Sequence, residues 1–97
     1  MTDKPTPQVD PDDPRLVYMS EDEASAASGL CAVLRDRWFV VHPERGLVFF
    51  QFKRGGGLRG ASPQCNSNEN IARSIARMYP WAEVRLIPFV LVPQEEG

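Results

Sequence analysis

The residues of this sequence best suited to covalent chemistry are Cys65 and His42. Cys65 directly precedes Asn66, which with Glu69 three residues on has the spacing of a helix capping box. A thiol at a helix N-terminus has a lowered pKa, and a histidine at a strand end can take its proton. The set stops there. No acid or amide can be placed behind His42, and no oxyanion donors converge on Cys65. Two cysteines without CxxC spacing and a single histidine also fall short of a usual zinc set or a disulfide framework. The sequence therefore predicts a non-catalytic protein with no metal and no cofactor, Cys65 with His42 being the one exception.

A second stretch with suggestive spacing is RGLVFFQFKRGGGLRGAS, residues 45–62. Gly55 and Gly60 have the outer spacing of a phosphate loop, but Ala61 stands where a lysine must reach the phosphates. Pro63 and Gln64 then separate the loop from any helix N-terminus that would hold the anion. Gly55, Gly57 and Gly60 also fit GxGxxG. A dinucleotide fingerprint, however, needs a strand feeding straight into a helix and an acid closing the next strand. Here the strand belongs to a hairpin, and Glu83 opens the strand that follows. What the loop retains is Lys53, Arg54 and Arg59 among glycines, which could track phosphates or serve as a solvated connection.

The elements that would position these residues follow from local patterning. Residues 1–14 hold four prolines among polar residues and are expected to be a disordered acidic arm. Residues 15–19 could form a short strand. Ser20 and Glu23 make a capping box, and Ala24, Ala27, Cys31 and Leu34 form one stripe, which predicts a helix over 20–37. The alternative is a short helix capped by Gly29 and a strand from Cys31. WFVVH and LVFFQF flank PERG and predict a β-hairpin in which Gly46 takes positive φ. A second helix with Ile71, Ala72, Ile75, Ala76 and Tyr79 on one face ends at Pro80. AEVRLIPFVLV alternates as a strand, and Pro88 assigns it to a sheet edge or a bulge. The order (β)αββαβ predicts a small α+β domain over 15–93, a ferredoxin-like split βαβ sheet with two helices on one face. Residues 94–97 are left as a flexible tail.

RGLVFFQF resembles the strand motif of the RNA recognition motif family through Arg45, Gly46, Phe49 and Phe52. Val17, Tyr18 and Met19 resemble that family's first-strand motif, and the element order is shared over roughly residues 15–92. Leu47, Val48 and Phe50 depart from the pattern, as does the glycine insertion before the second helix. The resemblance implies single-stranded nucleic-acid binding by stacking on an open sheet face. Alternation places Val48, Phe50 and Phe52 in the core and Leu47, Phe49 and Gln51 on that open face, so Phe49 would be its one aromatic.

Charge is unevenly spread within a net −2: residues 1–29 carry seven acids and two bases, the rest nine bases and six acids. An acidic arm on a basic body is compatible with nucleic acid or with a protein partner. With no apolar run of membrane-span length and no export signal, a cytoplasmic location is expected. The leading expectation is a small non-catalytic protein-binding module: an inhibitor, adaptor or regulatory protein, monomeric or homodimeric. By analogy it would be of the kind common in phages and mobile elements, directed at a host defence or nucleic-acid-handling complex. Its partner-binding residues are expected among Arg37, Phe49, Lys53, Arg54, Arg59, Arg73, Arg77, Arg85 and Phe89. The second expectation is a single-stranded nucleic-acid-binding domain using Phe49 and the basic glycine loop.

Overall fold

The computed structural model describes residues 8–26, 31–51 and 61–93. The elements are β1 (Leu16–Met19), α1 (Glu21–Ala26), β2 (Cys31–His42), β3 (Gly46–Gln51), β4 (Ala61–Pro63), β5 (Cys65–Asn66), α2 (Glu69–Ile75) with a 3-10 turn (Ala76–Met78), and β6 (Glu83–Pro93). They form a small α+β fold around one antiparallel sheet, in the order β1, β3, β2, β6, with β4 and β5 set between β3 and β2. No helix among the described residues is long and apolar enough to cross a membrane.

The β2–β3 hairpin is formed where the sequence places it, and Gly46 has φ +104°. Only glycine fits there, because a Cβ would run into the Met19 carbonyl. His42 Nδ1 closes the turn by accepting from the backbone N–H groups of Glu44 at 3.0 Å and Arg45 at 3.1 Å. The two strands pair only at Val41 with Leu47 and His42 with Gly46, then part. The segment 61–66 enters the fork: β4 pairs with β3 and β5 with β2. At its centre Gln64 binds both arms, accepting from Val40 N at 2.9 Å and donating to Val48 O at 3.1 Å. Residues 52–60 therefore join Gln51 to Ala61, which face each other across antiparallel strands.

The helix expected over 20–37 ends by Ala26 among the described residues, and Cys31 begins a strand of 12 residues. The Ser20 cap is present: its Oγ accepts from Glu23 N at 3.2 Å. The reason the rest is extended is non-local. β2 pairs with β6 from Cys31 opposite Pro93 to Val41 opposite Glu83, a ladder that pairs the facing backbone groups of both segments. This ladder has one gap, where Asp36 meets Pro88. Pro88 has no N–H to give, and Asp36 adopts φ 52°, a left-handed conformation that Asp tolerates better than most side chains. The register is the same on both sides of the gap, but the alternation changes phase. Phe39, Val41 and Ile87 share a core cluster with Leu34, Val90 and Val92, so odd positions face it on one side of the gap and even positions on the other.

Around β1, β3 and the adjoining end of β2, both faces of the sheet are covered. One cluster holds Met19, Ala24 of α1, Phe39, Val41, Leu47 and Phe49; the other holds Leu16, Val40, Val48 and Tyr79 with Ile75 and Ala76 beneath α2 and its 3-10 turn. The helices thus lie on opposite faces, not on one. The last strand also departs from the ferredoxin-like expectation, since β6 pairs with β2 and not with β1. Pro88 is nonetheless on a strand paired along one side only among the described residues, as its chemistry requires. The cap of α2 is Asn68, whose side chain accepts from Asn70 N at 2.9 Å. Asn66 instead forms the turn before it, accepting from Asn68 N at 2.9 Å.

The left-handed Asp36 yields a direct test. Asp36→Gly is expected to leave stability unchanged within about 1 kcal/mol or raise it, whereas Asp36→Val is expected to lower it by about 1–3 kcal/mol. Urea unfolding followed by circular dichroism would measure both.

Candidate functional site

The fold distributes the sequence-predicted contact residues over several surfaces. Phe49 is a correction: it is fully buried, 6.3 Å from the Phe39 ring, beneath α1. Alternation had divided β3 into a core face and an open face, but a covered sheet has no open face at β3, and Leu47, Val48 and Phe49 are all buried. Lys53, Arg54 and Arg59 lie outside the described residues. Arg73 is exposed and held by Glu69 one turn before it, with Nη2 at 2.7 Å from the carboxylate. Arg77 is exposed one turn further on, and the two border a groove floored by Ala76, Ala82 and Val84. Arg85 of β6 is ion-paired with Glu21 of α1 and, at 3.2 Å, with Glu83, so it ties the helix to the sheet.

Phe89 and its surroundings form the strongest contact surface. Where β2 and β6 run as a two-stranded ribbon beyond the fork, Leu34, Val90 and Val92 face the core and the intervening residues face out. The phase change at Asp36 and Pro88 puts Val33, Arg35, Phe89 and Leu91 on the same outer side as the Trp38–Leu86 pair. Three large apolar side chains there are exposed: Val33 at 49%, Leu86 at 47% and Phe89 at 38%. The Arg35 guanidinium, directly opposite Phe89 in register, lies 5.6 Å from its ring centroid. That stacking holds both side chains in place at the surface. Val33, Arg35 and Leu86 were not singled out from sequence, because the helix read over residues 20–37 conceals the face that these strands share.

Arg37 lies on the other side of β2, opposite Ile87, and is half-exposed. Its charge reaches Cys65, although burial is the larger influence and pushes the thiol up to about 11. Cys65 does not occupy a helix N-terminus, because α2 starts at Glu69 with its cap at Asn68. It sits in β5 opposite Phe39 and packs against the Phe39 cluster, whereas His42 packs with Tyr18 and Trp81 on the opposite face. Placed on opposite faces of the sheet, Cys65 and His42 are not brought together as a nucleophile–base pair.

Residues 8–14, assigned from sequence to a disordered arm, lie against the body. Val9 N donates to Met78 O at 2.7 Å and Trp81 Nε1 to Val9 O at 2.8 Å. Tyr18 OH donates to Pro11 O at 2.6 Å, and Arg45 Nη2 meets Asp12 Oδ1 at 2.7 Å. Composition gave no sign of this, because backbone carbonyls make most of the contacts.

Three outcomes check these placements. Phe49→Ala is expected to destabilise by about 3–5 kcal/mol, as a buried aromatic does and a surface anchor does not. Alkaline pH should also weaken the fold. Cys65 is raised to about 11 and Tyr79, chiefly by burial, to about 12, so the folded state holds protons that the unfolded state releases first. Stability is therefore complete below about pH 9 and falls as pH rises through 11 and 12. In a Cys31→Ser background, Cys65 should alkylate at pH 8 roughly 100-fold more slowly folded than unfolded, following its thiolate fraction.

No protein-family model matches this chain, and neither the curated proteins nor the solved structures contain a significant match to it.

Proposed function

We propose that this protein is a non-catalytic protein-binding module, of the inhibitor or adaptor class, whose contact surface is the outer face of the β2–β6 ribbon. The observation that carries this reading is the adjacency of exposed Val33, Leu86 and Phe89, with Arg35 stacked on Phe89. Aromatic and arginine anchors dominate binding energy at protein interfaces. A cluster of exposed apolar side chains on a strand pair is also an aggregation hazard that a partner would relieve. The ribbon is covered by α1 on its inner side, so its outer side can present these residues without losing its own support. The partner is a protein met in the cytoplasm, and either a monomer or a homodimer could present the face.

Single-stranded nucleic-acid binding is the less supported reading, because burial of Phe49 takes away its stacking residue. The comparison that tests both readings pairs the wild-type chain with a Leu86→Asp/Phe89→Asp variant. Capture from a lysate of the native host, with each captured protein re-measured in purified form, is expected to give a partner whose affinity falls at least 100-fold with the variant. Both substitutions are at exposed positions, so the melting curve should change little. Equal affinity of a folded variant would sink the ribbon as the contact face. Oligonucleotide affinity that weakens as salt rises would favour the second reading instead.

A further inference from the structure

The first described segment of the chain is bound to the body in the manner of a ligand. Tyr18, His42, Tyr79 and Trp81 form one aromatic cluster, with His42 and Trp81 ring centroids 5.2 Å apart, Tyr79 and Trp81 5.5 Å, and Tyr18 and His42 5.5 Å. Across it runs the sequence QVDPDD, residues 8–13, which turns at Pro11–Asp12, where Asp13 N donates to Asp10 O at 2.9 Å. The indole N–H of Trp81 donates to Val9 O at 2.8 Å, and the Tyr18 hydroxyl donates to Pro11 O at 2.6 Å. These are donors from an aromatic surface to carbonyls two residues apart, on either side of the start of the turn. Arg45 adds a charge-selective end: Nη1 donates to Pro11 O at 2.9 Å, Nη2 pairs with Asp12 at 2.7 Å, and the guanidinium lies 5.4 Å from the Tyr18 ring centroid. The Val9 side chain packs against the cluster that includes Trp81, beside a groove of about 290 Å³ that Pro11, Pro80 and Trp81 help to line.

The geometry points to a peptide-binding groove, formed by Trp81, Tyr18 and Arg45 and occupied in cis by residues 9–12, that takes a turn-forming, acidic, proline-containing segment of another protein. The recognition is mostly of backbone carbonyls with one carboxylate, so any segment presenting an apolar residue, a proline two positions on and an acid next can make the same bonds. The source is another protein and not the arm of a second copy. The arm turns into β1 without slack: Asp13 N donates to Asp10 O at 2.9 Å, Leu16 N to Asp13 O at 3.0 Å, and Asp13 is ion-paired with Arg15 at 2.9 Å. Reciprocal exchange would have to break this turn in two copies at once, whereas a partner segment needs it to yield in one. Tethering gives the cis segment an effective concentration in the millimolar range, so a partner must outbid it or engage once it has lifted. The groove is separate from the outer face of the ribbon and does not depend on that face being a docking surface.

The test uses the full chain with Val9→Asp and Asp12→Arg together, which alters the cis segment and leaves every groove residue in place. The probe is the synthetic peptide QVDPDD, followed through the indole N–H resonance of Trp81. Binding to the variant is expected to be at least tenfold tighter than to the wild-type chain. The charge-reversed peptide QVRPRD should bind the variant at least tenfold more weakly than QVDPDD. The proposal is overturned if the folded variant binds QVDPDD no better than the wild type does, or if it binds both peptides alike. It is also overturned if the wild-type chain forms a dimer that these substitutions abolish, since the arm would then belong to a second copy. If the double variant does not fold, Asp12→Asn, which removes only the ion pair with Arg45, is expected to raise affinity for QVDPDD at least threefold, and no increase would overturn the proposal. Leu86→Asp/Phe89→Asp should leave peptide binding unchanged, which separates failure of the groove from failure of the ribbon.

Discussion

The arrangement depends on how a hairpin that opens keeps its inner backbone groups paired. β2 and β3 share two residue pairs and then diverge, which would strand a row of N–H and C=O groups inside the sheet. Buried peptide groups without partners cost about 1–3 kcal/mol each. The segment 61–66 removes that penalty by pairing with β3 through β4 and with β2 through β5, and Gln64 bonds to both strands at the point of divergence. Its side chain is also fixed, since Oε1 accepts from Tyr79 OH at 3.1 Å. The insert thereby links the fork to the aromatic cluster on the face that α2 covers.

Opening the fork frees the far half of β2 to pair with β6 alone. A two-stranded ribbon is marginal by itself, and here one face rests on α1 while the other is left open. The Asp36–Pro88 gap makes that division workable. Without a change of phase, strict alternation would turn Leu34, Val90 and Val92 away from the cluster that contains Phe39 and Ile87. The gap rotates both strands together and keeps the covered side apolar. It also sends Val33, Phe89 and Leu91 outward beside Leu86. One backbone irregularity therefore accounts for both the continuity of the core and the presence of an exposed apolar face.

Features that depend on a few adjacent residues were legible in the sequence. The PERG turn with positive φ at Gly46, the Ser20–Glu23 cap and the edge position of Pro88 are of this kind. Features set by distant pairing were not. The stripe of Ala24, Ala27, Cys31 and Leu34 has helical period, and nothing local in it announces that β6 will supply a ladder from the other end of the chain. Once β2 is taken for helix, the outer face of the ribbon cannot be seen, and a second covered face for β3 is not anticipated. Phe49 then looks exposed. The cap of α2 was misplaced by two residues for a smaller reason. Asn66 and Asn68 both have the side chain for a cap, and only pairing of Cys65 and Asn66 with Phe39 and Trp38 decides between them.

The two faces of the sheet differ in how firmly they are closed. On the α1 side, strands and helix bury Phe39, Phe49, Leu47 and Val41 completely, and the cover is continuous with the β1–α1 connection. On the other side the cover consists of a short helix, a 3-10 turn and the segment 8–14, and several members of that cluster, Tyr18, Trp81 and Phe50 among them, are only half-buried. Few buried apolar contacts and backbone hydrogen bonds near solvent mark the low end of local stability. Residues that must release one contact to make another are drawn from that end. Here the segment 8–14 closes the surface over the aromatic cluster through hydrogen bonds to its own backbone at Val9 and Pro11, in place of a second packed layer.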